Sequence, residues 1–192
     1  MKPVPNELLE KYRYVNVEFD EWWEYLWEQE KEELEAMGFE AKDFRYSGFW
    51  SQGDGASFTG HVVDFEKFWP AFDPNPDNYK MLRKNEHVEA RFCRHRSMYS
   101  HENTVYASVE ADAWELAHGE EDPFKEALYE VWNEQLCRDL DQFENDFQSF
   151  MRDRMRALYK KLEEEYDYLT SDEQVAEWIR ENVPEEIEEY AA

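Results

Sequence analysis

The strongest constraint on the fold is a run of sixty residues, 124–183, that contains neither glycine nor proline. Apolar side chains recur through this run near helical spacing, which predicts helix rather than strand. They are Phe124, Leu128, Val131, Leu140, Phe143, Phe147, Phe150, Leu158, Leu162 and Tyr166. One helix over 124–168 would be about 65 Å long, whereas a compact domain of this size has a radius of gyration of about 16 Å. We therefore expect a break near 145–149; a continuous helix would protrude and pair, which would allow a homodimer through the C-terminal helices.

The first forty residues predict a single amphipathic helix. Residues 1–13 are expected to form a loose leader, because prolines early in this segment disfavour regular helix. Apolar side chains occupy every second position over residues 14–19, which fits either a short strand or the lead-in to a helix. The helix itself is predicted over 20–37, with Asp20 as its N-cap and Gly38 as its stop. We expect Trp22 and Trp23 to lie in the core and Trp27 to reach the surface.

The middle of the chain has the period of two that is typical of strands. Segments 44–51 and 56–63 surround Asp54-Gly55, which predicts a β-hairpin with a tight turn. Glycines within the two segments suggest a bulge or a close backbone approach. A second pair of strands is predicted over 87–96 and 104–114.

Shorter helices complete the prediction. One is expected over 64–69, ending at Pro70, and another over 170–182, ending near Pro184. The second begins with Thr170-Ser-Asp-Glu, which has the form of a capping box. The predicted class is α+β, an antiparallel sheet built from hairpins and covered by acidic helices, with a long C-terminal helical region.

The chain is predicted to be one domain over 1–192, with an α/β-hairpin core at 14–114 and helices at 120–183. Its 8 Trp, 12 Tyr and 13 Phe are too many for a disordered acidic chain. Two cysteines do not make a disulfide framework, and no apolar run could anchor the chain in a membrane. We therefore expect a cytoplasmic location, inside a host cell.

Net charge limits the partners. The chain has 47 acidic and 21 basic residues, a formal net charge of −26. Such a field repels nucleic acid and anionic membranes and attracts basic protein or ribonucleoprotein surfaces. Residues 78–101 are the exception, with two acidic and six basic side chains that could neutralise the acidic helices.

The candidate partner-binding residues are carboxylates grouped in the two helical regions. Placed on successive turns, they could imitate a phosphate backbone and compete for a lysine- and arginine-rich surface. The alternative is a solvated surface that only keeps the protein in solution. The candidates are Glu21, Glu24, Glu28, Glu32, Glu35, Glu120, Glu121, Asp122, Glu130, Glu134, Asp141, Glu144 and Asp146.

One motif of unknown role, Ser51, Gln52, Gly53, Asp54 and Gly55, could carry chemistry. Adjacent glycines let backbone N–H groups converge on an anion, although hairpin-turn chemistry explains the same residues. The motif is not a P-loop, and the chain has no standard nucleophile signature. Cys93, His95 and His101 match no standard zinc spacing. No catalytic residue, metal or cofactor is therefore predicted.

Residues 44–60, FRYSGFWSQGDGASFTG, resemble a family of poorly characterised bacteriophage and prophage proteins with a segment close to FSGFxSQGDGAxF. The resemblance extends over about 20–180 and includes the segment that ends in Tyr99-Ser-His101. It implies a phage-type protein, and some members are labelled antitoxins of toxin–antitoxin stability systems. It implies no catalytic residues.

The expected function is non-enzymatic inhibition of a host nucleic-acid-handling defence complex, of the anti-CRISPR or anti-restriction type, by nucleic-acid mimicry. One alternative is an antitoxin that neutralises a cognate toxin. Another is a small enzyme that uses the 51–55 turn with His61 or His101.

Overall fold

The computed structural model describes residues 3–19, 21–112 and 123–190. The chain divides into two compact units. The terminal unit comprises Met1–Gln29 and Leu158–Ala192, and the sheet unit comprises Glu30–Ala157. The predicted α+β class is confirmed, since an antiparallel sheet and helices are both present.

The sheet unit is built on four antiparallel strands in the order β1-β2-β3-β4. Each strand pairs with its neighbour in sequence, as expected for two consecutive hairpin-type pairs. β1 and β4 are therefore the edge strands. The strands are β1 Phe39–Tyr46, β2 Ala56–Val62, β3 Val88–Arg94 and β4 Val105–Ala111.

The first hairpin differs from its prediction. Its strands are joined by a nine-residue connection, 47–55, so the predicted tight turn at Asp54-Gly55 is wrong. The connection closes where the Ser47 N–H donates to the Gly55 carbonyl at 3.2 Å. The register irregularity lies between Lys42 and Arg45 rather than at a glycine, whereas Gly60 provides the predicted close backbone approach, since a Cβ there would lie 2.2 Å from the Glu40 carbonyl oxygen.

Helices cover one face of the sheet, as predicted. Phe147 on the long helix α4 (Pro123–Leu169) is fully buried and contacts the rings of Phe39, Phe68 and Phe92. Phe68 belongs to α3 (Phe65–Phe72), which Asp64 caps by accepting from the Lys67 N–H. α3 continues through Pro70, so the predicted end at that proline is wrong. Phe72, in the last turn of α3, packs its ring against Phe143 and Phe150, and this contact stabilises the residues after Pro70.

The helix α4 is continuous over 47 residues, so the predicted break at 145–149 is wrong. Nothing in the sequence forces a break, and buried side chains continue through the segment. The division between the two units falls within this helix, after Ala157. The size of a single compact domain did not limit the length of α4, because the helix contributes to two units rather than one.

The terminal unit contains helices that the sequence predicted in part. Residues 1–13 are not merely a loose leader, because α1 (Asn6–Lys11) begins directly after Pro5. Proline is tolerated at a helix start, where its missing N–H would have no partner. α5 (Asp172–Asn182) is capped by Ser171, not Thr170. α6 (Pro184–Glu189) begins at the proline that was expected only to end α5.

Leucines of α1 complete the small core of this unit. Leu8 and Leu9 are buried with Val175 and Ile179 of α5 and Ile187 of α6. This apolar burial stabilises a six-residue helix that would be marginal alone.

The predicted helix 20–37 is α2, Glu24–Ala36. Gly38 follows it with φ +82°, which confirms the predicted stop. The N-cap assigned to Asp20 lies outside the described residues. Trp22, Trp23 and Trp27 are all half-buried, so the prediction of two core tryptophans and one at the surface is wrong. Among the described residues, no helix has the length and apolarity needed to cross a membrane.

Candidate functional site

The first half of α4 presents a row of carboxylates, here called the carboxylate face. At ~100° per residue, its members fall within about 80° of the helix circumference. All of them are exposed. The members are Glu126, Glu130, Glu134, Asp141 and Glu144. Glu126 was not predicted, although it lies four residues before Glu130 and so shares its side of the helix.

The spacing of these charges is closer to that of a single nucleic-acid strand than to a duplex. The face extends for about 27 Å at ~1.5 Å per residue. One DNA strand presents roughly eight phosphates over that length and a duplex roughly sixteen. Five carboxylates therefore amount to about 60% of the charge density of one strand.

Few basic residues neutralise the carboxylate face. Between positions 123 and 151 the only basic residues are Lys125 and Arg138. An Arg138 guanidinium nitrogen lies 3.8 Å from a Glu134 carboxylate oxygen, and both side chains are more than 60% exposed. An exposed pair at this separation contributes little energy, so the face stays strongly negative.

Glu144 also has a structural role, which the sequence did not reveal. Its carboxylate accepts from the Val109 N–H of edge strand β4 at 3.1 Å. One helical turn further, Gln148 accepts from the Ala107 N–H at 3.3 Å, and one turn beyond that, Arg152 donates to the Val105 carbonyl at 3.1 Å. These three side chains satisfy backbone groups that an edge strand would otherwise offer to another chain.

Asp146 differs from the other predicted carboxylates of α4. It is only partly exposed and accepts from the Tyr79 hydroxyl at 2.6 Å and from Gln142 at 2.7 Å. Burial and the hydrogen bond to Asp146 raise the pKa of Tyr79 well above its usual range. These contacts indicate that Asp146 holds the 73–85 loop region on α4. We therefore do not include it in the carboxylate face.

A buried carboxylate that was not predicted has a similar structural task. Asp139 is 8% exposed and accepts from the Met81 N–H at 2.7 Å and the Leu82 N–H at 3.4 Å. It thereby caps a short 3-10 helix, Leu82–Lys84. No local sequence pattern indicates this contact, because the two partners are about sixty residues apart.

The predicted carboxylates of the first helical region belong to two units. Glu21, Glu24 and Glu28 lie in the terminal unit, and Glu32 and Glu35 lie in the sheet unit. All five are exposed. The last four recur at the spacing of one helix face, and a single weak pair, Lys31 to Glu35 at 3.8 Å, involves them.

Two neighbours of this row, one buried and one exposed, have a different role. Glu30 is 2% exposed and accepts from Arg154 at 2.7 Å, while Glu33 accepts from the same guanidinium at 2.8 Å. Glu120, Glu121 and Asp122 lie outside the described residues.

The 51–55 motif forms the end of the β1–β2 connection. Gly53 has φ +92°, and a Cβ there would lie 2.2 Å from the Tyr99 ring. A Cβ at Gly55 would lie 2.5 Å from the His101 Cα. The Asp54 carboxylate accepts from the Ser51 N–H at 2.7 Å, which closes the turn within the motif. Close packing against residues 99–101 therefore explains both glycines.

The same connection presents an aromatic side chain at the surface. Trp50 is 71% exposed and has φ +66°, an uncommon conformation for a bulky residue. Its ring lies 5.5 Å from that of Phe49, which lies 5.2 Å from Tyr46. His101, proposed as a partner in the enzyme alternative, lies beside Gly55. His61 instead lies on β2, 3.5 Å from Glu40.

The basic residues of 78–101 pair locally rather than with the acidic helices. Arg83 donates to the Asp73 carbonyl at 2.8 Å and lies over the Trp69 ring. Arg94 donates to Asp43 and to the buried Ser57. Arg91 pairs with Glu89 on its own strand. In the described contacts, these three arginines therefore do not pair with the carboxylate face.

Within the ranges that the structure describes, no three His, Cys, Asp or Glu side chains are grouped closely enough to hold an ion. Cys93 and Cys137 are free thiols, and His95 stacks on Tyr106 with ring centroids 4.3 Å apart.

Comparison with known proteins gives a family. A family model described as a domain of unknown function (DUF8835) matches residues 22–172. No curated protein and no solved structure matches the chain. The match includes the 51–55 motif and the carboxylate face, and the phage resemblance stays a prediction.

Proposed function

The chain belongs to the DUF8835 family, and we propose that it is a non-catalytic acidic protein that occupies the nucleic-acid-binding groove of another protein. The partner class that fits best is a nuclease complex of host defence, of the CRISPR-effector or restriction type. The proposed place of action is the host cytoplasm, and the two free thiols are compatible with a reducing compartment.

The observation that carries this proposal is the carboxylate face. Five exposed carboxylates follow one side of a continuous helix; Arg138 lies 3.8 Å from Glu134, and Glu144 accepts from the Val109 N–H. A groove that binds a single strand contains lysine and arginine side chains that track the backbone. A helix with carboxylates on successive turns offers such a groove a pre-organised ligand, because no chain ordering is needed on binding.

The test is displacement of a labelled single-stranded oligonucleotide from a panel of purified CRISPR effectors and restriction nucleases. We expect the chain to displace the oligonucleotide from at least one of them. Replacing Glu126, Glu130, Glu134 and Asp141 with Gln or Asn should weaken displacement. At ~0.3–0.7 kcal/mol for each exposed pair, four lost pairs correspond to roughly 10–100-fold.

A matched control removes four exposed carboxylates elsewhere in the sheet unit. The substitutions are Glu66→Gln, Asp77→Asn, Glu86→Gln and Glu89→Gln. This variant has the same net charge as the first and should retain most of the activity. Equal loss in both variants would show that only net charge matters. An affinity that does not change between low and high salt would exclude electrostatic mimicry.

A further inference from the structure

Charge is concentrated in the terminal unit. That unit has 19 acidic and 6 basic residues among 64, whereas the sheet unit has 28 and 15 among 128. Both units therefore have a net charge of −13, and the terminal unit has twice the charge density. Two of its segments, 14–29 and 162–171, contain no lysine or arginine and hold eight aromatic residues.

Contacts within the terminal unit bring these two segments together. The Asn16 amide donates to the Leu169 carbonyl at 3.0 Å. The rings of Trp22 and Tyr166 lie 5.9 Å apart, and the Tyr25 hydroxyl donates to Glu165. The aromatic surface continues from Trp22 to Trp23 at 5.3 Å and from Trp23 to Trp27 at 5.9 Å. We call this region the aromatic–carboxylate patch.

Several aromatic side chains at the patch are unusually exposed. Phe19 is 72% exposed, Tyr14 61% and Tyr25 49%. Side chains of this size normally lie at least partly in a core, and three of them exposed within twelve residues of one segment indicate an interaction site rather than isolated exposure. Half-buried rings of the same two segments, including those of Trp22 and Tyr166, give the patch a fixed base.

The same two segments also carry exposed carboxylates. Glu18, Glu21, Glu24 and Glu28 are exposed on the first segment, and Asp167 is exposed on the second. Burial and the hydrogen bond to Glu165 raise the pKa of Tyr25 to about 12, so its phenol stays neutral. The patch therefore combines π faces with negative charge and has no positive charge in either segment.

We propose that the aromatic–carboxylate patch binds an arginine-rich segment of the partner. The inference rests on the proposed function, since it identifies a second contact surface for the same basic protein. The negative charge of the patch favours a cationic partner, and its exposed rings favour arginine over lysine. Guanidinium groups stack on aromatic faces and also bind carboxylates in a bidentate manner, whereas the ammonium of lysine is a compact, strongly hydrated charge.

The experiment uses two probes of equal charge, octa-arginine and octa-lysine peptides, titrated calorimetrically into the full chain. For the wild type we expect octa-arginine to bind at least about ten-fold more tightly at ~0.15 M salt. The preference should persist at ~0.5 M salt, where contacts between exposed charges are largely screened.

The diagnostic variant combines Tyr14→Ser, Phe19→Ser and Tyr25→Ser, which change no charge. It should bind both peptides with nearly equal affinity. The control combines Trp50→Ser with Met98→Ser, two exposed side chains of the sheet unit, and should retain the preference. Circular dichroism and the thermal midpoint of each variant establish that it is folded. A single variant, Phe19→Ser, serves if the triple variant is not folded, since Phe19 is the most exposed of the three.

The outcomes separate this inference from the proposed function. Equal affinity of the wild type for both peptides, or a preference that survives in the diagnostic variant, would overturn the arginine site while leaving nuclease inhibition possible. A clear arginine preference that is lost only in the diagnostic variant would support it. If the chain displaces no oligonucleotide from any nuclease yet shows that preference, the patch stands and the proposed partner class is wrong.

Discussion

The edge of the sheet offers the most direct test of the structure. Gln148→Leu keeps the size of the side chain but removes the oxygen that accepts from the Ala107 N–H. Ala107 is 6% exposed, so water has little access to the amide that loses its acceptor. Gln148→Glu is the matched control, because it keeps an acceptor at the same position.

The expected cost follows from the buried donor. An unsatisfied buried N–H costs about 1–3 kcal/mol, and the leucine side chain offsets little of this beside a polar strand edge. With a urea m-value of ~2 kcal/mol/M, the unfolding midpoint of Gln148→Leu should fall by roughly 0.5–1.5 M. Gln148→Glu should remain within ~0.5 kcal/mol of the wild type.

Three measurements check this prediction. Urea unfolding followed by circular dichroism gives the midpoint, and hydrogen exchange shows whether the loss is local to the Ala107 amide. Size-exclusion chromatography then shows whether the freed strand edge pairs with a second molecule. Unchanged stability and unchanged exchange at Ala107 in Gln148→Leu would refute the proposed capping of β4 by α4.

Two further substitutions test the motif and the terminal unit. Gly55→Ala places a Cβ 2.5 Å from a backbone atom of His101. This overlap should lower the free energy of unfolding by about 1–3 kcal/mol, which thermal unfolding detects as a lower midpoint. An unchanged midpoint would contradict the close approach. Hydrogen bonds from Lys11 and Tyr12 lower the pKa of Glu186 below its ordinary 4.5. The stability that this adds is present above pH ~4.5 and is lost as the pH falls through the lowered pKa. Thermal unfolding should therefore show Glu186→Gln less stable than the wild type at pH ~7, with a difference that shrinks as the pH falls below ~4.5. A difference that does not change with pH would contradict this.

Local periodicity predicted β2, β3 and β4 well, whereas β1 lies five residues earlier than the predicted segment 44–51. Alternation in 88–94 and 105–111 reflects one face packed on helices, and consecutive strands with short connections usually pair. The helix α2 and its glycine stop were predictable for similar reasons. These features depend on residues that are close in sequence.

The features that the sequence did not predict depend on distant contacts. α1 is only six residues long and is stabilised by leucines that pack on α5, more than 160 residues later. The continuity of α4 was missed because a single core was assumed. A helix that serves two units can exceed the size of either.

The candidate site also combines features that local sequence predicts with features that depend on distant contacts. Helical spacing predicted the exposure of Glu130, Glu134 and Asp141 correctly, because surface position follows from the period of a helix. The structural duties of Glu144 and Asp146 depend on which strand lies at the sheet edge and which loop contacts α4. Such information becomes available only once the topology is known.

The terminal unit combines an early and a late segment of the chain, so its core cannot form until the late segment has been synthesised. Leu8 and Leu9 leave the ribosome long before Val175 and Ile179, which complete their core. At ~5–20 residues per second, the delay is roughly 8–33 s. During that interval the sheet unit can already be complete, while the early leucines and the tryptophans after them have no partners from the later helices. A nascent chain of this kind offers an apolar, acidic segment to chaperones until its last helices emerge.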